Sequence, residues 1–95
     1  MAIRQIYGTI GHGSEIISGE GFSCEKLQSG VYMVRFEKPF SKLPSAVCTV
    51  FQPPWNNNGI SIKIFDITLD SFTCITSKVD HPVDSGFTFI VTGEE

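Results

Sequence analysis

Apolar and polar residues alternate with period two along this chain, in runs broken every eight to twelve residues by turn formers and never replaced by a helical pattern. Apolar residues at i, i+3, i+4 and i+7 do not persist beyond one turn anywhere in the 95 residues. A side chain that alternates with period two lines opposite faces of a strand. Strand-like runs cover 4–10, 22–27, 31–36, 46–51, 60–67, 72–79 and 87–92, with a short extended piece at 15–18. Gly11-His12-Gly13, Gly19-Glu20-Gly21, Gln28-Ser29-Gly30, Leu69-Asp70-Ser71 and the segments 52–59 and 80–86 punctuate them. Pro39 cannot donate to a ladder and ends the run at Phe36. The expected fold is all-β, a six- to seven-stranded antiparallel β-sandwich in a single domain spanning residues 1–95.

A chain this short buries a small core, and eight phenylalanines supply most of the available bulk for it. Within 60–67, Ile60, Ile62 and Ile64 share one face, with Phe65 and Ile67 on the other. Val31 and Met33 lie opposite Tyr32, Val34 and Phe36, and Ile90 lies opposite Phe87, Phe89 and Val91. A sheet with one solvated face alternates cleanly, and a contiguous apolar patch is a liability on a monomer. These doubly apolar strands predict a homo-oligomer, with Val31 or Ile90 as outward-facing contacts.

Net charge is −3, and it is uneven: residues 1–48 carry a net +1 and residues 49–95 a net −4. Basic residues come one at a time, without the patch that phosphate neutralisation requires, so nucleic acid is not an expected partner. Apolar runs are only a few residues long, so no membrane insertion is expected. The opening residues lack the apolar stretch of a signal peptide, an expectation that leaves localisation open between cytoplasmic synthesis and a virion or tail-like particle. Cys24, Cys48 and Cys74 each sit in a strand-like run without metal spacing. They read as small buried hydrophobes, or as one bridge plus a free thiol.

No arrangement of nucleophile, base and orienting acid is evident, and the chain is not expected to be an enzyme. His12, Ser14 and Glu15 are too close in sequence, on a glycine turn, to build such a relay. Asp80, His81 and Asp84 share a loop but lack further metal-type ligands, and no cofactor or metal is expected. Trp55, followed by three asparagines, either offers a flat face and amide groups to a sugar or packs over a sandwich end or a neighbouring subunit. Lys63 is the only charge among the isoleucines of 60–64 and points away from them.

The order of elements from Val34-Arg35-Phe36-Glu37-Lys38-Pro39-Phe40 through Leu43-Pro44-Ser45-Ala46-Val47, then 60–67, Ser71-Phe72 and a closing aromatic strand in 84–93, resembles the H-type lectin domain and related small domains at the ends of tail fibres. The resemblance implies an antiparallel sandwich that assembles as a trimer and binds a glycan at subunit interfaces, with a basic residue at the position of Lys63. The family's aromatic–His pair falls near Lys78-Val79-Asp80-His81, where the aromatic is missing. The expected carbohydrate-binding residues are therefore Lys63, Asp80, His81 and Trp55, in a module with a glycan ligand. The other reading is a structural trimerisation domain of a tail-fibre-like protein.

Overall fold

In the computed structural model, which describes residues 2–52 and 59–95, the chain forms nine strands and no helix among the described residues. They are β1 (Ile3–Ile10), β2 (Ile16–Gly19), β3 (Phe22–Gln28), β4 (Val31–Phe36), β5 (Ser45–Phe51), β6 (Ile60–Ile67), β7 (Ser71–Lys78), β8 (His81–Pro82) and β9 (Gly86–Glu94). Two antiparallel sheets result. Sheet A has the order β2-β1-β9-β5; sheet B has the order β3-β4-β7-β6, with β8 on β7. This is a two-sheet sandwich, with two more strands than the alternation alone indicates. β2 is the short piece before Gly19, and β8 is a two-residue return that pairs with the end of β7.

The inner faces meet in a core of aromatic rings. Phe22, Phe36, Phe40, Phe72, Phe87 and Phe89 are buried with Ile6, Ile10, Tyr32, Val34, Cys74 and Val91. The rings meet edge-on or tilted: Phe22 and Phe72 each make a T-shaped contact with Phe89, at 5.0 and 5.2 Å between centroids. Such pairs add about 0.5–1.5 kcal/mol beyond their area. The other two phenylalanines, Phe51 and Phe65, are exposed. Phe40 lies outside any strand yet is buried, held by its amide on the Leu69 carbonyl at 2.8 Å.

A bulge corrects one parity expectation. The pairing of β6 with β7 shifts between Ile64 and Asp66, which leaves Phe65 as the extra residue. Beyond the shift Ile67 returns to the core side, opposite Phe72, and packs on the core instead of facing outward with Phe65. Val31 is a second correction. It is only 6% exposed within the single chain, so it is not an outward contact. Ile90 is 45% exposed and points out of sheet A.

One end of the sandwich is tied by a polar cluster. The Tyr32 hydroxyl, buried, donates to the His12 carbonyl at 2.6 Å and accepts from the Ser85 amide at 3.2 Å. Burial pushes its phenol up to about 12, partly countered by the Ser85 N–H. Asp84 accepts from Lys26 Nζ and from the Gly30 amide, both at 2.8 Å. Those two donors, Lys26 first, hold its carboxyl below the usual range. Gly30 has φ 75°, and a Cβ there would stand 2.6 Å from the Thr76 carbonyl oxygen. Only glycine suits that turn.

Candidate functional site

The four residues singled out in the sequence are not gathered into one cleft by the chain alone. Lys63 is exposed on the outer face of β6, with Ile75 of β7 as its register partner. Asp80 and His81 are exposed at the β7–β8 turn, where His81 pairs with Lys78. Ile60 also pairs with Lys78, so Lys63 sits three residues, about 10 Å, along the sheet from that turn. Directly paired residues share a face. His81 therefore lies on the Lys78 and Ile60 side of the sheet, while Lys63 lies on the opposite side with Ser61, Ile75, Ser77 and Pro82. Trp55 lies outside the described residues.

The β7–β8 turn holds a backbone irregularity. Val79 adopts φ 56° at an exposed tip, a left-handed conformation that costs a β-branched residue about 1–3 kcal/mol. Asp84, in the same sequence cluster, is committed to Lys26 and Gly30 and does not join His81. Among the described residues, no group of three or more His, Cys, Asp or Glu is placed to hold a metal.

The His12-Gly13-Ser14-Glu15 segment is a turn. Glu15 Oε1 accepts from the Gly13 amide at 3.0 Å, and the Glu15 carbonyl accepts from the Gly11 amide at 2.8 Å. The carboxylate is used to hold the loop. The three thiols are free. Burial, with Glu25 adding to it, pushes Cys24 up to about 12. A hydrogen bond to Cys48, with burial, pushes Cys74 up as well. The same bond, from Cys74, holds the Cys48 thiol below its ordinary value against the effect of burial; Cys24 and Cys74 lack the thiolate character a nucleophile needs.

Two surface features emerge only from tertiary structure. The first is the outer face of sheet A. Tyr7, Ile90 and Val47 pair across β1, β9 and β5 in a single row, each at least 45% exposed. The rows on either side are Gln5-Thr92-Ser45 and Thr9-Thr88-Thr49. These nine positions carry no charge. The outer face of sheet B, by contrast, carries Glu25, Arg35, Lys63 and Asp66. The second feature is a groove of about 890 Å³, lined by Arg4 to Tyr7 of β1, by Gly19, Glu20 and Gly21, and by Glu37 and Lys38. These segments are far apart in sequence, and no local pattern reveals the groove; the paired glycines around Glu20 are its only trace there.

No protein-family model, curated protein or solved structure matches the chain.

Proposed function

We propose that this protein is a non-enzymatic carbohydrate- or receptor-binding module of the H-type lectin kind, working as a homo-oligomer, most simply a trimer. The observation that supports it most is the uncharged centre of sheet A's outer face, with its Tyr7-Ile90-Val47 row. Charge depletion around aromatic and aliphatic anchors is the composition of an interface core. In this reading copies meet through sheet A. That contact leaves sheet B free, where Lys63 and the Asp80-His81 turn each offer a polar group to a glycan. Lys63 donates to a sugar hydroxyl, and Asp80 accepts from one. Trp55 covers the apolar side of the ring. Hydrogen bonds to charged groups contribute about 1.5–3 kcal/mol each, so one site is weak and several on one oligomer give useful avidity.

Sedimentation tests the assembly, and titration with simple and multivalent sugars tests the binding. Val47→Asp and Ile90→Asp are expected to give folded monomers, because a carboxylate buried without a partner costs several kcal/mol. Lys63→Ala and Trp55→Ala are expected to abolish sugar binding and leave the oligomer intact. A wild-type monomer at micromolar concentration overturns the assembly. The second reading, a structural trimerisation unit of a tail-fibre-like protein, is favoured by the opposite faces of Lys63 and His81. An oligomer that binds no sugar establishes it.

A further inference from the structure

We propose that the groove beside β1 is a docking site for an extended peptide strand carrying basic residues, which adds to sheet A along Ile3–Tyr7. This goes beyond the glycan reading and uses a different part of the molecule.

The argument starts from hydrogen bonding along β1. This strand pairs with β9 over its whole length, Ile3 to Ile10, but with β2 only at Gly8, Thr9 and Ile10. In an antiparallel ladder alternate residues turn both amide and carbonyl to the same neighbour. The Glu95 amide donates to the Ala2 carbonyl, so the even-numbered residues of β1 face β9. Ile3, Gln5 and Tyr7 therefore direct their main-chain groups to the other edge. Thr9, the next in that series, pairs with Ser18 of β2. Beyond Gly19 the chain turns away: its φ is 101°, and a Cβ there would lie 2.4 Å from the Tyr7 carbonyl oxygen. The edge from Ile3 to Tyr7, about 17 Å of strand, is left without a partner strand, and the groove runs beside it.

The edges of β3, β5 and β6 are guarded. β3 and β6 carry bulges, with Lys26 at one and Lys63 along the other, devices that discourage pairing. β5, the far edge of sheet A, runs beside β6. The β1 edge has neither a bulge nor a charged side chain on its outer face between Ile3 and Tyr7.

The groove wall favours one kind of strand. The Arg4 guanidinium stacks over Phe40, 4.1 Å from the ring centroid, and Nη2 donates to the Lys38 carbonyl. Arg4 Nε is buried there without a hydrogen-bond partner among the described residues. Lys38 approaches Glu95 at 4.0 Å. Glu20 and Glu37 form no ion pair among the described residues. These two carboxylates, which no cation pairs among the described residues, favour lysine or arginine on the arriving strand. Main-chain bonds supply affinity and side chains supply choice, as in strand addition elsewhere.

The test is selection of a random heptapeptide display library on the immobilised protein, in parallel with Gln5→Pro. Gln5 points its N–H away from β9, so proline there removes a docking donor without breaking the ladder. Enriched sequences are then made as synthetic peptides and measured by fluorescence anisotropy. Basic, β-forming peptides are expected on the wild type and not on Gln5→Pro. Since an added strand turns only alternate amides towards β1, N-methylation of one alternate set is expected to weaken binding about tenfold or more, from the loss of two or so hydrogen bonds of about 1 kcal/mol each. N-methylation of the other set is expected to leave it within about twofold. Glu20→Gln with Glu37→Gln is expected to weaken binding and flatten its salt dependence. Equal enrichment on both proteins, equal effects of the two N-methyl sets, or displacement of the peptide by simple sugars overturns the proposal. Should Gln5→Pro fail to fold, the paired N-methyl peptides decide the matter on the wild type alone.

Discussion

Replacing Tyr32 with phenylalanine removes one oxygen and leaves two partners behind. The His12 carbonyl belongs to an exposed residue, so water takes up much of its loss, and its share is about 1 kcal/mol. The Ser85 amide belongs to a fully buried residue. Left unpaired it costs about 1–3 kcal/mol. Together these predict a loss of about 2–4 kcal/mol, or a fall in Tm of about 10–25 °C for a domain of this size. Urea unfolding followed by fluorescence measures it as a lower midpoint at unchanged slope. Alkaline stability supplies a second reading. The folded phenol titrates near 12 against about 10 in the unfolded chain, so folding favours the protonated form. Wild-type stability falls as pH rises through that interval, whereas the phenylalanine variant lacks this part of the decline. Tyr7→Phe, at an exposed position, is the control and is expected to be near neutral in the monomer. A Tyr32→Phe loss below about 0.5 kcal/mol refutes the claim that this hydroxyl ties the sandwich end.

Two further outcomes follow from the polar end and the strained turn. Val79→Gly relieves a left-handed backbone at an exposed tip and is expected to raise stability by about 1 kcal/mol in the same urea assay; a loss contradicts the strain argument. Asp84→Asn is expected to cost about 1 kcal/mol at neutral pH, modest because the Lys26–Asp84 pair is about one-third exposed. The Asp84 carboxyl is held below its unfolded value, so its contribution is present above about pH 4 and lost as pH falls below that. Wild type and variant should converge at low pH, and a gap that persists there rules the pairing out as its source.

The alternation of apolar and polar residues determined by itself that the chain is all-β, where most strands lie and that Ile90 points away from Phe87, Phe89 and Val91, because strand periodicity is a local property of neighbouring residues. It also marked Lys63, Asp80 and His81 as polar candidates, on a strand and in a loop; the structure leaves all three exposed. Trp55 was equally legible as a candidate, and it lies outside the described residues. What the tertiary structure decided depends on pairing between segments distant in the chain. The bulge at Phe65 turns Ile67 inward only because β7 sets the register. Val31 is apolar, and only the folded sandwich shows it buried where Ile90 is not. Phe40 belongs to no strand, yet it fills the core end beneath Arg4. The separation of Lys63 from His81 onto opposite faces follows from the Ile60–Lys78–His81 pairing. The row of Tyr7, Ile90 and Val47 and the open edge of β1 exist only once β1, β9 and β5 are side by side. A strand's own sequence specifies which side chains share a face; which neighbours those faces and edges receive is set by long-range register, and that is a property of the whole fold.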